Sequence, residues 1–171
     1  REVAAKLRAA NPGLALSTDI IVGFPGETAE DFDRTVAYLR EARFDSAFLF
    51  KYSARPDTRA WRLPETVPEE EKGRRLAFLI ELQHAISGEL NDRWIGREVE
   101  VLVEGPARRD PGQLYGRTPQ FKAVVFPNDG TPAGSPRRLR VVGATPVTLF
   151  GEPAQMSSAG APLSRDRMKS G

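Results

Sequence analysis

The chain has 171 residues, 40% of them hydrophobic and 28% charged, a make-up that predicts a globular protein with room for one medium domain or two small ones. It contains no cysteine, which excludes disulfides, thiol nucleophiles and cysteine-held metals within these residues. The net charge of +2 is uneven: residues 1–92 carry 13 basic and 16 acidic groups, whereas residues 93–171 carry 12 and 7.

No apolar run approaches the roughly 20 residues of a membrane span, and the stretch from Arg1 to Leu14 lacks a signal-peptide core, so a cytoplasmic location without membrane contact is expected. The chain opens on Arg1 and enters at once on a helical pattern of Val3, Leu7 and Ala10, as a piece of a longer protein would. Ala15 to Val22 ends in the β-branched run Ile20-Ile21-Val22, which predicts a strand covered on both faces, as in parallel sheets. Gly23 and Pro25 end it. Thr28 followed by Asp31 reads as a capping box, and Phe32, Val36 and Leu39 recur at helical spacing, so a helix is expected from about Ala29 to Ala42. Phe44 to Tyr52 reads as the next strand. A polar loop from Ser53 to Thr58 follows, then a helix from near Pro68, with Glu69, Glu70 and Glu71 at its positive end and Leu76, Leu79, Ile80, Ile86 and Leu90 as its apolar stripe.

Strand, helix, strand, helix is the pattern of βα units, although two strands alone make a poor parallel sheet. Composition changes near Asn91. Beyond it, Glu98 to Glu104, Phe121 to Phe126, Leu139 to Val142 and Thr145 to Phe150 are short β-branched or aromatic segments between Gly, Pro and Asp clusters, the spacing of a small antiparallel barrel. The domains expected are therefore an α/β unit at 1–92, a barrel at 93–153, and a disordered tail at 154–171.

Loops at the carboxyl ends of parallel strands are where α/β proteins bind ligands, and Gly23 and Gly26 would let backbone approach one closely. Glu27 is expected to fix this turn rather than to transfer protons. Thr18 and Asp19 either face the lumen of a parallel βα barrel or bond a neighbouring strand. Lys51 points into that lumen or forms the polar face of its strand. Ser53 and Arg55 follow the second strand, and Arg55 suits a carboxylate or phosphate, or is plain loop surface. His84, the single histidine, has no partner nearby in sequence and is expected to serve surface or packing. In the barrel, Arg108, Arg109, Arg117, Lys122, Arg137, Arg138 and Arg140 are candidates for phosphate contact, and Tyr115 or Phe121 for stacking on a base. Phe126 and Phe150 are expected in its core.

The string Thr18-Asp19-Ile20-Ile21-Val22-Gly23-Phe24-Pro25-Gly26-Glu27-Thr28 resembles the fifth-strand segment of radical S-adenosylmethionine enzymes, and more narrowly of the methylthiotransferases. The resemblance runs on through Arg43-Phe44-Asp45-Ser46-Ala47-Phe48, Phe50-Lys51-Tyr52-Ser53-Ala54-Arg55-Pro56-Asp57-Thr58 and Val67-Pro68-Glu69-Glu70. It continues through Val101-Leu102-Val103-Glu104-Gly105-Pro106, Gly116-Arg117-Thr118 and Phe126-Pro127, similar to the family's C-terminal TRAM domain. Phe50-Lys51-Tyr52-Ser53 with Arg55-Pro56, and Arg108-Arg109-Asp110 to Gly116-Arg117-Thr118, look like the branch that acts on tRNA rather than the one that modifies a ribosomal protein. Asp57 stands where the family usually has glycine, and Pro119-Gln120-Phe121-Lys122 varies a commoner asparagine-containing stretch.

This likeness implies the end of a radical (β/α) barrel followed by an OB-like barrel. It implies S-adenosylmethionine as cofactor, with Thr18, Asp19, Ile21, Val22, Gly23, Phe24, Pro25, Gly26, Ser53 and Arg55 around it. It also implies two 4Fe-4S clusters in the intact enzyme, whose cysteines would precede Arg1, so that this chain alone would be inactive. The substrate implied is a tRNA anticodon stem-loop, methylthiolated at C2 of an isopentenylated adenosine and held by Arg108, Arg109, Tyr115, Arg117, Phe121, Lys122 and Arg138. A monomer is expected, the sulfur donor is not readable, and a methylthiotransferase acting on a ribosomal-protein aspartate and a free-standing RNA-binding barrel are the other readings of the same residues.

Overall fold

The computed structural model describes residues 2–154. The tail expected to be disordered lies, from residue 155 on, outside the described residues. The first unit consists of α1 (Glu2–Ala10), β1 (Ser17–Val22), α2 (Ala29–Ala42), β2 (Ser46–Lys51), a 3₁₀ turn (Ala60–Arg62) and α3 (Glu69–Asp92). The second is β3 (Glu98–Ala107), β4 (Asp110–Arg117), β5 (Ala123–Pro127), β6 (Pro136–Ala144) and β7 (Leu149–Pro153).

The sequence forms α2 where its cap lies. Thr28 Oγ1 accepts the Asp31 N–H at 3.1 Å while the Asp31 carboxylate accepts the Thr28 N–H at 3.0 Å, so two orphan donors are satisfied reciprocally. The helix ends at Arg43, whose φ of 47° turns the chain left-handed, and Arg8 of α1 donates to the freed Ala42 and Arg43 carbonyls. β1 and β2 pair in parallel, from Ser17 opposite Ser46 to Val22 opposite Lys51. Helices α2 and α3 cover one face, where Val22, Phe32, Val36, Leu39, Phe44, Leu79 and Ile86 form the core.

The other face is open among the described residues, contrary to the two-sided cover expected from the Ile-Ile-Val run. Alternation along the strands puts Ser17, Asp19 and Ile21 there beside Ser46, Phe48 and Phe50, with Ile21, Phe48 and Phe50 each more than half exposed. Ile80, expected in the α3 stripe, is also exposed.

The second unit is a closed barrel in the order β3-β4-β5-β7-β6, the Greek-key path of an OB-like fold. Alternate residues Val99, Val101 and Val103 meet Leu114, Val124, Phe126, Leu139, Val141 and Leu149 inside it. Three points differ from the sequence reading. Asp110–Arg117 is a strand, and β5 pairs with β7 in parallel while every other pair is antiparallel. Phe126 fills the core as expected, but Phe150 is 40% exposed, since Leu149 and Gly151 take the inward positions of β7. The barrel is seated on the start of the β1–β2 pair: the Asn91 amide at the end of α3 donates to the Thr145 and Pro146 carbonyls at 2.8 and 3.2 Å.

Candidate functional site

Two stations stand toward opposite ends of β1 and β2, six-residue strands that themselves span about 17 Å. At the finishing end is a rim built by the turn after β1. Gly23 takes φ 74° and Gly26 φ 88°, conformations that cost glycine little. The Gly23 N–H donates to Glu27 Oε2 at 2.5 Å, and that carboxylate pairs with Arg75 of α3 at 2.7 Å, where both side chains are nearly enclosed. Glu27 thus clamps the turn. Gly26 N–H donates to Thr66 Oγ1 at 2.8 Å, which ties the loop before α3 to the same rim. The Lys72 stem fills the space beside Gly23, where a Cβ would sit 2.4 Å from Lys72 Cγ. Its ammonium reaches Glu65 at 2.9 Å and lies 5.7 Å from the Tyr52 ring centroid. Phe24 meets Tyr52 edge to face at 5.2 Å, and the Tyr52 hydroxyl is enclosed without a hydrogen-bond partner among the described residues.

Ile21, Phe24, Pro25, Gly26, Ser53 and Arg55 gather at this end, and Ser53 and Arg55 are exposed. Val22 is placed differently: its side chain is 1% exposed in the helix-covered core, and its carbonyl accepts the Tyr52 N–H at 2.8 Å. Thr18 lies on the helix face, four residues down the strand, while Asp19 stands on the open face opposite Phe48. Lys51 faces the helices and pairs with Glu69, leaving Phe50 on the open face. Asp57, at the position where glycine is usual, adopts φ 67°, which is glycine's conformation. Arg75 and Lys72 were not singled out in the sequence, yet a signal exists: both sit at helical spacing with the buried Leu79, Gln83 and Ile86, charges on a face that should be apolar. Glu71, bonded to Arg74 and then Arg75, has its carboxyl pulled down to about 2.

The second station is on the barrel. The Arg117 guanidinium lies 5.7 Å from the Tyr115 ring centroid and 5.4 Å from that of Phe121, and Glu104 holds it at 3.0 Å. Phe121 is 78% exposed at φ 61°, a left-handed conformation that a bulky residue adopts only under constraint. The constraint is a tight loop: Phe121 N–H donates to the Thr118 carbonyl at 2.9 Å, Thr118 N–H to the Lys122 carbonyl at 3.0 Å, and Lys122 N–H to Thr118 Oγ1 at 3.2 Å. Lys122 then reaches across to the first unit and pairs with Asp45 at 2.9 Å. That pairing leaves its side chain 9% exposed, so its charge serves the seam between the units rather than a phosphate.

Arg108 and Arg109 lie exposed at the β3–β4 turn, and neither has a side-chain partner among the described residues. Arg138 and Arg140 stand across from Glu100 and Glu98, which offset their charge, and Arg137 pairs with Asp129 at 2.6 Å. A crease of about 770 Å³ runs along the seam, with Ser17, Phe48 and exposed His84 on one wall and Tyr115 and Phe121 on the other.

The closed five-strand barrel, with the Tyr115–Arg117–Phe121 stack on its outside, is a TRAM-type module: residues 92–153 match the TRAM domain family model. The likeness extends well beyond the barrel. The chain is 47% identical over 154 residues, 90% of its length, to a protein of Chlorobium phaeobacteroides named tRNA-2-methylthio-N(6)-dimethylallyladenosine synthase. Proteins of the same name from Parabacteroides distasonis and Moorella thermoacetica are 47% and 46% identical, each over 88% of the chain. The chain is similar to this family of tRNA methylthiotransferases along nearly all of its own length, and it spans about a third of the length of the relatives it matches.

Proposed function

We propose that this chain forms the tRNA-holding end of a methylthiotransferase that modifies an isopentenylated adenosine beside the anticodon. The observation that carries the reading is the Tyr115–Arg117–Phe121 stack, with Phe121 held outward at φ 61° on a barrel that matches the TRAM model. An exposed ring and a guanidinium plane offer an unpaired base two surfaces to stack on, and Arg108 and Arg109 supply free positive charge for phosphates. The barrel's excess of basic groups favours an RNA over a protein substrate.

The rim fits S-adenosylmethionine in part. Exposed Ile21 and Phe50, paired in register, and Phe24 offer an apolar wall for an adenine, while exposed Arg55 suits a carboxylate. Val22 contributes only to the core behind that wall, and Glu27, Arg75 and Lys72 hold the turn that presents it. When bound beside a reduced iron–sulfur cluster, the cofactor supplies the radical chemistry, and the protein's share is to bind, orient and shield. With no cysteine in the chain, the cluster ligands are not among these residues.

Binding of the 171-residue chain to a synthetic anticodon stem-loop, followed by fluorescence anisotropy across a salt series, tests the reading. Base stacking on an aromatic ring is worth about 1–3 kcal/mol, so Phe121→Ala should weaken binding roughly tenfold or more, with affinity falling steeply as salt rises. Equal affinity of parent and Phe121→Ala, or binding indifferent to salt, overturns it.

A further inference from the structure

We infer that the 3₁₀ turn between β2 and α3 is a second RNA contact, at which Arg59 and Arg62 hold phosphates and Trp61 stacks on a base near the cofactor rim. The inference rests on the proposed tRNA-modifying function and goes beyond it, since it places a contact outside the barrel.

Three observations carry it. The turn is built rather than loose. Thr58 Oγ1 donates to the Arg55 carbonyl at 2.8 Å and accepts the Trp61 N–H at 3.2 Å, and Arg62 and Leu63 N–H donate to the carbonyls of Arg59 and Ala60. With about three residues per 3₁₀ turn, Arg59 and Arg62 project on the same side of it.

Its charge is unspent. Neither Arg59 nor Arg62 has an ion-pair or hydrogen-bond partner for its side chain among the described residues, in contrast to Arg34, Arg43, Arg74, Arg75, Arg117 and Arg137, which are all paired. Asp57 is the single acid from Ser53 to Arg62. Trp61 is 53% exposed, an aromatic surface beside two free guanidinium groups, which is the composition of a site for single-stranded nucleic acid.

Its position is fixed at the rim. The segment leaves β2 at the end where Phe24 meets Tyr52, and it returns to the same end through Thr66 on Gly26 and Glu65 on Lys72. An RNA held by Phe121 at one end of the strand pair and by Arg59 and Arg62 at the other would be tethered twice, so that each contact raises the effective concentration of the other.

The test uses the full 171-residue chain and an unmodified anticodon stem-loop RNA. Arg59→Ala and Arg62→Ala should each weaken binding several-fold at low salt and each lower the slope of log K against log salt by about 0.7–0.9. Trp61 fluorescence should be quenched by RNA in the parent, and Trp61→Phe should keep the affinity while losing that share of the quench. Circular dichroism confirms that these surface variants fold. If Phe121→Ala weakens binding while the turn variants leave affinity and slope untouched, the inference falls and the proposed function stands. If the parent chain binds no RNA at low salt, both fall.

Discussion

Asp45 does two things at once, and replacing it with asparagine separates them. One oxygen pairs with Lys122 at 2.9 Å and the other accepts the Leu16 N–H at 2.9 Å. Asparagine keeps an acceptor for Leu16 but turns an amide N–H₂ toward an ammonium that is 9% exposed. Removing one partner of a buried pair costs 3–5 kcal/mol. The Asp45 side chain is 19% exposed, which places the expected cost at the low end, about 3 kcal/mol, or roughly a hundredfold in the equilibrium that holds the Thr118–Lys122 loop on the first unit. Across the same seam the Asn91 hydrogen bonds remain, each worth about 1 kcal/mol, so the seam should open locally rather than unfold. Amide hydrogen exchange is the assay. In Asp45→Asn, exchange at Phe121 and Lys122 should accelerate by up to about a hundredfold, while Val101 and Val103 in the barrel core keep their protection. Adding Lys122→Met should recover part of the loss, because no unpaired charge is then buried. Unchanged exchange in the loop, or loss of protection in loop and core together, would refute this account.

Acid should weaken the first unit. The Asp31 carboxyl is held well below the usual range by the Thr28 N–H, the Thr28 hydroxyl and Arg34, and Glu71 is lowered to about 2 by Arg74 and Arg75. Depressed folded values mean stability that is complete above the unfolded carboxyl range and lost as pH falls, so the melting temperature at low salt should decline from about pH 4.5 downward, less so in Asp31→Asn; a flat profile refutes it. Gly116→Ala places a Cβ 2.4 Å from the Leu102 carbonyl oxygen and 2.5 Å from Val101 Cγ1, a clash inside a closed barrel that should cost about 1–3 kcal/mol. In scanning calorimetry its melting temperature should fall by several degrees, whereas Gly112→Ala, which meets only the movable Asp110 side chain, should be near neutral; equal shifts would contradict the close packing.

What the sequence disclosed was local chemistry. Thr28 and Asp31 announced the α2 cap because both halves of a capping box lie within four residues. Ile20-Ile21-Val22 announced a strand but not its cover, since an apolar run says nothing about what packs on each face. β4 was hidden by Pro111, Gly112 and Gly116, residues that read as turn; Gly116 is there because the chains cross too closely for a Cβ. Lys51 was ambiguous because β2 carries apolar residues on both faces, so its direction waits on the register with Val22. Of the site, Tyr115, Arg117 and Phe121 were recognisable as residue types, but their meeting depends on a loop closed by Thr118 and anchored through Lys122 to Asp45, more than 70 positions away. Lys72 and Arg75 were obscured for the same reason, as their partners Glu65 and Glu27 lie off their helix.

Phe121 sets two kinds of fitness against each other. Its φ of 61° costs about 1–3 kcal/mol for a bulky side chain, and glycine or asparagine would take the same turn with less strain. A laboratory selection for heat resistance alone would therefore tend to discard the ring, and the more stable proteins it returned would be the ones that lack the surface proposed to stack on a base.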